Sequence, residues 1–144
     1  MDFDQLRQAA HAVVAPRDLS RFASAGGVGA ALASASGAVY TGVCIDTACS
    51  MGFCAEHAAA AAMVTQGEHR VVRMVAVDGD GQILPPCGRC REFVSQLHTD
   101  NLDTEVLVRA GTVATLRQLL PFDWRTEPTD GAPSTSVQAP GSPS

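Results

Sequence analysis

The chain of 144 residues is poor in aromatic side chains and in positive charge. Aromatic residues make up 5% of it, and its formal net charge at neutral pH is −5. Proteins that bind nucleic acid need basic grooves and stacking aromatic rings. We therefore expect a small-molecule ligand rather than a nucleic-acid partner.

Long hydrophobic runs are also missing. No apolar stretch reaches the length that crosses a bilayer, so we expect no membrane partner. The acidic start, Met1-Asp2-Phe3-Asp4, has no apolar h-region of a signal peptide. The chain contains five cysteines, an odd number that fits free thiols in a reducing compartment better than a set of disulfides. These features predict a cytoplasmic protein.

A change in composition divides the chain near residue 125. Hydrophobic residues make up 46% of the chain, which is enough for a real core, and they are concentrated in residues 1–125. Residues 126–144 are rich in Pro, Gly, Ser and Thr and contain almost no apolar side chains. We therefore expect one folded domain over residues 1–125 and a disordered tail over 126–144.

Hydrophobic periodicity predicts an α/β domain. Helices are expected over residues 3–15, 54–66, 87–98 and 115–120, and residues 17–27 are expected to form a loop. Strands are expected at Val28–Ser34, Ala38–Ile45, Val71–Val77, Glu105–Val108 and around Val113. This order of elements implies a mixed sheet with helices packed on it.

The main chemical signal is a pair of cysteine motifs, Cys54-Ala55-Glu56 and Pro86-Cys87-Gly88-Arg89-Cys90. Three thiolates can hold a zinc ion and leave its fourth position open for water. Cys87 and Cys90 are three residues apart, so at the start of a helix both sulfurs can face one point. Pro86 suits the position just before that start, because its fixed φ and missing N–H cost nothing there.

Two other interpretations of the cysteines remain open. A C-x-x-C pair is often half of a structural zinc site or a redox pair. A structural site needs a fourth ligand, which Cys44, Cys49 or His57 could supply. Glu56 favours a catalytic site, because a structural zinc site has no use for an ionisable group beside the metal.

The combination C-x-E followed by P-C-x-x-C is a variant of the signature of zinc deaminases, with Cys in place of His as the first ligand. The chain resembles the small, cysteine-ligated branch of the cytidine deaminase family over about residues 27–124. The matching segments are Val28-Gly29-Ala30-Ala31-Leu32, Val39-Tyr40-Thr41-Gly42, Cys54-Ala55-Glu56, Pro86 to Glu92, and Leu119-Leu120-Pro121. The resemblance implies a three-layer α/β/α fold with a mixed five-stranded sheet.

The resemblance also implies roles for individual residues. Cys54, Cys87 and Cys90 would ligate one Zn²⁺ per chain, and Glu56 would move protons between water, ring and leaving amine. The backbone carbonyl of Ala55 and the N–H of Cys87 would contact the substrate, and Phe53, Phe122 and Trp124 are candidates for pocket walls. The family's small members are homotetramers, so a homotetramer, or else a dimer, is expected here.

Departures from the family concern substrate binding. Members specific for cytidine carry Asn-x-Glu on the second strand, where it hydrogen-bonds the ribose, and the aligned residues here are Cys44 and Asp46. Cys44 is equally well explained as a small buried apolar residue. The Arg that follows the catalytic glutamate in the family is His57 here, which could hydrogen-bond a ligating sulfur.

Blasticidin-S deaminases are a second relative by resemblance, at Cys87-Gly88-Arg89-Cys90-Arg91. They also lack the Arg after the glutamate and supply one from the second motif, so Arg89 is expected to donate to the ligating sulfurs. Three hypotheses follow: deamination of a cytidine-like nucleoside, deamination of a cytosine-containing antibiotic or another modified aminated heterocycle, or a non-catalytic zinc protein.

Overall fold

The computed structural model of the chain describes residues 1–125, which contain six strands and four α-helices. In chain order they are α1 (Phe3–Ala12), β1 (Arg17–Asp18), β2 (Ala23–Ser34), β3 (Val39–Thr47), α2 (Ala55–Thr65), β4 (Val71–Asp78), α3 (Gly88–Gln96), β5 (Glu105–Arg109), β6 (Thr112–Thr115) and α4 (Leu116–Leu119). Short 3-10 helices cover Ala48–Ser50 and Thr99–Asp103. The tail expected over residues 126–144 lies outside the described residues.

The five longer strands form a mixed sheet in the order β3-β2-β4-β5-β6. The pairing of β4 with β5 is parallel, and the other described pairings are antiparallel. The predicted α/β fold with a mixed sheet is confirmed, but the strand number of five is wrong. The sixth strand is β1, whose Arg17 and Asp18 pair with Ala25 and Ser24.

The predicted loop over residues 17–27 is therefore also wrong in part. Ala23 to Ala25 already pair with β3, and the register then shifts between Ala25 and Gly29. Gly26 lies in this irregular stretch with φ of +88°, a conformation that glycine adopts without steric cost. The three glycines at 26, 27 and 29 look like a loop in the sequence, whereas they form a bulge within one long strand.

Two layers of helix cover the two faces of the sheet. Successive strand residues point to opposite faces, and the core divides accordingly. On one face, buried residues of α2 and α3 meet the strand residues Leu32, Met74 and Val106. On the other face, Leu6 and Ala10 of α1 meet Ala31, Val75 and Leu107. The three-layer α/β/α arrangement implied by the family resemblance follows directly from this alternation.

Small residues bring α2 close to the sheet. A Cβ atom on Gly42 of β3 would lie 2.4 Å from the backbone nitrogen of Ala59 and 2.6 Å from the Cβ of Ala58. Ala59 and Ala60 are fully buried against the sheet, and the two alanines that follow them are exposed. The start of α2 is thus held directly over β3, and this contact positions the first of the cysteine motifs.

Candidate active site

The beginnings of α2 and α3 meet, and they bring the three motif cysteines together. Cys54 Sγ lies 3.4 Å from Cys87 Sγ, and Cys87 Sγ lies 3.5 Å from Cys90 Sγ. All three sulfurs lie within 4.8 Å of one another, a spacing at which they could hold a metal ion. Residues that are 33 positions apart in the sequence are therefore neighbours in the fold.

Local backbone geometry explains where the sulfurs point. Cys54 and Cys87 are the N-cap residues of their helices, with extended ψ angles of 161° and 164°. Neither thiol is used as a side-chain cap of its helix, so both sulfurs are available to a ligand. Cys90 lies in the first turn of α3 and is fully buried. Both helices also direct their positive ends toward the thiols, which favours thiolates.

The donor set fits zinc in a catalytic rather than a structural site. Within residues 1–125, the cluster contains three ligands and no fourth cysteine or histidine. Cys44, which could have closed a structural site, instead accepts a hydrogen bond from the backbone N–H of Val28 at 3.3 Å. Three thiolates around a tetrahedral ion leave one position open, as catalytic zinc requires.

The three thiols differ in acidity in the absence of metal. Burial raises the pKa of Cys54 and of Cys90, and the nearby Glu56 carboxylate raises the pKa of Cys90 further. Burial also opposes ionisation of Cys87, but the backbone N–H of Cys90 and the thiol of Cys54 together bring the pKa of Cys87 below its ordinary value. Cys87 is therefore the thiol that ionises most readily.

Glu56 lies where a proton carrier for this cluster would be needed. Its side chain is only 5% exposed, and Cys90 Sγ donates to its Oε2 at 3.5 Å. Burial raises the pKa of Glu56 above its ordinary value. A carboxyl group with a raised pKa releases and recovers a proton more readily near neutral pH, which suits general acid–base catalysis.

His57 contacts the same buried sulfur. Its Nδ1 lies 3.3 Å from Cys90 Sγ, and its ring stacks on Phe93 with the centroids 4.2 Å apart. Burial, and to a smaller extent the charge of Arg89, lowers the pKa of His57. The stack fixes the plane of the imidazole, so that Nδ1 is held toward the sulfur.

Arg89 does not make the contact that was expected of it. Its Nη1 donates to the backbone carbonyl of Gly52 at 3.2 Å, rather than to a ligating sulfur. The reason is that Arg89 lies on the exposed side of the first turn of α3, where it faces the loop before Cys54. Arg89 thus connects the two segments that carry the cysteines.

Cys44 and Asp46 lie on β3, away from the thiol cluster. Asp46 is exposed and lines a cleft of about 340 Å³. Across the strands β1, β2 and β3, Asp18, Ser24 and Asp46 are directly opposite one another, so their side chains share one face of the sheet. The register of β1 reveals Asp18 and Ser24 as cleft residues, which the sequence alone did not indicate.

A short backbone bridge links β3, which carries Asp46, to the segment that precedes Cys54. Ile45 N donates to Phe53 O at 3.0 Å, and Phe53 N donates to Ile45 O at 2.9 Å. Asp46 follows Ile45, and Phe53 directly precedes Cys54, so this pairing brings the two regions close together. The side chain of Phe53 is 37% exposed, so it can serve as a pocket wall.

The three remaining residues that were expected to contact the substrate are Ala55, Phe122 and Trp124. Ala55 is fully buried at the start of α2, and its carbonyl oxygen lies against Gly42. Phe122 is fully exposed, so it walls no pocket within its own chain. Trp124 is also more than half exposed, and its indole N–H donates to Glu92 on α3 at 2.5 Å.

Comparisons with known proteins were made for sequence and for structure. No protein-family model matches the chain. A cytidine deaminase of Mycobacterium tuberculosis is 38% identical over 99 residues, which cover 65% of this chain and 70% of that protein.

Solved structures are similar over nearly the whole described domain. The crystal structure of cytidine deaminase from Mycobacterium tuberculosis matches with a TM-score of 0.73 and 31% identity, covering 86% of this chain and 98% of that one. The enzyme from Mycobacterium leprae matches with a TM-score of 0.71 and 32% identity, over 84% and 98% of the two chains. Cytidine deaminase from Burkholderia pseudomallei matches with a TM-score of 0.68 and 27% identity.

Proposed function

The chain belongs to the cytidine deaminase family, and from this premise we propose that it catalyses the zinc-dependent hydrolytic deamination of a cytidine-like pyrimidine nucleoside. The observation that carries this proposal is the position of Glu56, which is buried within reach of the sulfur cluster. An ionisable group in that place has a use in proton transfer and none in a structural zinc site. It therefore also counts against a non-catalytic role.

The chemistry assigns a task to each group. Cys54, Cys87 and Cys90 would hold one zinc ion per chain, which when bound supplies a water molecule of lowered pKa as nucleophile. Glu56 accepts the proton that the attacking water loses and gives it to the ring nitrogen beside the amino-bearing carbon. Glu56 then takes the remaining proton from the oxygen now bonded to that carbon and gives it to the amino group, so that the C–N bond breaks, ammonia leaves and the oxygen becomes the product carbonyl. His57 donates from Nδ1 to the Cys90 sulfur and reduces the negative charge concentrated there.

A direct test measures ammonia release by zinc-loaded protein from cytidine, deoxycytidine, cytosine and blasticidin S. Glu56→Gln keeps the size of the side chain and removes its acid–base function. We expect this variant to bind one zinc per chain and to lose at least ~10²–10⁴ in rate. Glu105→Gln is the matched control, because Glu105 pairs with Arg73 on the far side of the sheet and should retain full activity. Equal activity of the Glu56→Gln variant and wild type would contradict the assignment.

A second candidate substrate is a cytosine-containing antibiotic or another modified aminated heterocycle. Two observations favour it: the thiol of Cys44 accepts from the N–H of Val28, and Asp46 lines a cleft with other polar side chains, among them Asp18 and Ser24. Blasticidin S turnover above cytidine turnover would support this candidate. The double variant Cys44→Asn, Asp46→Glu should then gain cytidine turnover, since it restores side chains that can hydrogen-bond a ribose.

The active unit, we propose, is a homotetramer. Several large apolar side chains are exposed on the single chain, among them Met51, Val64 and Phe122, and a partner chain would cover them. In this arrangement Phe122 and Trp124 of one copy wall the substrate site of another. Sedimentation equilibrium should give four times the chain mass. Phe122→Ser should raise the KM for the substrate and should change the zinc content of the chain little.

We place the protein in the cytoplasm. All five cysteines are free in residues 1–125, and the proposed zinc site needs its thiols reduced. The described part of the chain also contains no helix of the length and apolarity that a membrane crossing requires. Cell fractionation with a marker for each compartment tests this placement.

A further inference from the structure

Arg91, one turn after Cys87 on α3, makes hydrogen bonds in two directions. Its Nε donates to the carbonyl of Pro86 at 2.8 Å, and its Nη1 donates to the carbonyl of Leu119 at 3.2 Å. The backbone N–H of Arg91 donates to the carbonyl of Cys87 at 3.1 Å. The side chain is half-buried. The guanidinium thus joins the carbonyl just before Cys87 to the carbonyl of Leu119, while the backbone of Arg91 makes the ordinary helical bond to Cys87.

The bond to the Pro86 carbonyl acts on the peptide immediately before Cys87. Cys87 is exposed, and its side chain makes no capping bond to the helix. Pro86 has no N–H of its own, so its carbonyl is the one hydrogen-bonding group on the backbone immediately before Cys87. The orientation of the peptide that joins Pro86 to Cys87 sets φ of Cys87, which is −65°. This angle decides where the sulfur points.

The far end of the Arg91 guanidinium is held in turn by the C-terminal segment, residues 119–125. Next to Arg91, the carboxylate of Glu92 accepts from Trp124 Nε1 at 2.5 Å and from Arg125 Nη2 at 2.7 Å. Charge-assisted bonds of this kind are among the stronger hydrogen bonds in proteins. The C-terminal segment is therefore bound to α3 at two adjacent residues, and it keeps the Leu119 carbonyl within reach of Arg91.

We propose that Arg91 is a positioning residue for the zinc ligand Cys87. Its guanidinium holds the peptide that precedes Cys87, so that the sulfur faces Cys54 and Cys90 before metal binds. This inference rests on the proposed function, because it takes the three sulfurs as the zinc site. Lysine cannot replace Arg91, since a single ammonium on a flexible stem does not span the carbonyls of Pro86 and Leu119 as a planar guanidinium does.

The test measures zinc affinity of the full-length protein by competition with a chromophoric chelator. We expect Arg91→Lys to bind zinc about 10–100-fold more weakly, the effect typical of losing an outer partner of a metal ligand. Arg117→Lys is the matched control: Arg117 pairs with Asp103 on the surface, and its substitution should leave the affinity unchanged. The thiolate-to-metal absorption of the cobalt-substituted protein should shift in Arg91→Lys alone. A residue that serves only general stability would not move that band.

Zinc affinity of Arg91→Lys within twofold of wild type would overturn the proposal. So would an Arg91→Lys protein that stays unfolded in excess zinc, because Arg91 would then serve the fold as a whole. The proposed function fails separately: wild type that binds one zinc per chain but deaminates no substrate disproves the deaminase assignment. In that case the affinity comparison between the two arginine variants still stands.

Discussion

Two pairs of helix ends in this molecule are built in opposite ways. Helices α1 and α4 begin with capping boxes: Asp2 accepts from Gln5 N at 2.8 Å, and Thr115 accepts from Gln118 N at 3.1 Å. Helices α2 and α3 begin at Cys54 and Cys87, whose side chains cap nothing. The first pair satisfies its backbone N–H groups internally, while the second pair leaves them facing the sulfur cluster.

The difference shows that the two helix starts with thiols lack the stabilisation that a side-chain cap provides. An N-cap side chain of the Asp or Thr type is typically worth about 1 kcal/mol relative to alanine. Cysteine at this position provides little of that stabilisation, but it places a thiol where the positive end of a helix lowers its pKa. The two helix starts without side-chain caps are thus the ones that carry the proposed metal ligands. Substitutions at either kind of helix start can test this comparison.

The largest effect is expected from Cys87→Ser. Serine is a good N-cap, so the metal-free variant should gain up to about 1 kcal/mol in free energy of unfolding. The same change removes a zinc ligand, so zinc binding and deaminase activity should both be lost. Urea unfolding in the presence of a chelator measures the first effect, and metal analysis measures the second. If the variant loses stability even without metal, the view of Cys87 as an uncapped helix start is wrong.

A smaller effect is expected at the capped ends. Asp2→Ala should lower the free energy of unfolding by about 1 kcal/mol, because the bond from Gln5 N to the Asp2 carboxylate at the start of α1 is lost. Zinc content and kcat should stay at wild-type levels, since α1 lies on the opposite face of the sheet from the cysteines. Asp2→Asn keeps an acceptor at the same position and should retain most of the stability. A loss of bound zinc in Asp2→Ala would show that the start of α1 also affects zinc binding, and it would contradict this prediction.

The smallest effect depends on pH and concerns Glu68, which lies just after the C-terminal end of α2. Hydroxyl hydrogen bonds, first from Ser36 and then from Tyr40, lower the pKa of Glu68 below its ordinary value. A lowered folded-state pKa stabilises the protein above the unfolded pKa of about 4.3, and this contribution is lost as the pH falls through the folded pKa. Wild type should therefore be more stable than Glu68→Gln at pH 7, and the difference should shrink below pH ~4.

Thermal unfolding of both proteins from pH 7 to pH 3 measures this difference. Tyr40→Phe removes one of the donors, and it should reproduce part of the loss at neutral pH. A difference between wild type and Glu68→Gln that stays constant over the whole range would show that the carboxylate contributes through packing rather than through its charge.

The metal ligands and Glu56 could be predicted from the sequence because their chemistry is local. A C-x-x-C at a helix start places two sulfurs together by helical geometry, and Glu56 follows Cys54 by two residues. The partner of Arg89 could not be predicted in this way. Its guanidinium can reach several acceptors, and only the packing of the loop before Cys54 placed the Gly52 carbonyl nearest to it.

Strand pairing was the other point at which the sequence was insufficient. Residues 17–27 contain glycines and polar side chains that are typical of a loop, yet β1 pairs with β2 and the glycines form a bulge. As a result, the row of Asp18, Ser24 and Asp46 becomes visible only in the three-stranded register. Phe122 and Trp124 were predicted as candidates for pocket walls, and Phe122 is fully exposed on its own chain.

The sequence by itself predicted the three-cysteine group, the glutamate beside it and the alternation of strands and helices, because these follow from residue type and short spacing. Tertiary structure alone decided that Cys54 and Cys87 meet, that Arg91 binds the carbonyl of Leu119, and that Glu92 binds the C-terminal segment. Contacts between distant residues depend on how whole helices pack on the sheet. That packing is set by many small contributions, such as the close approach of Gly42 to α2, which no local motif records.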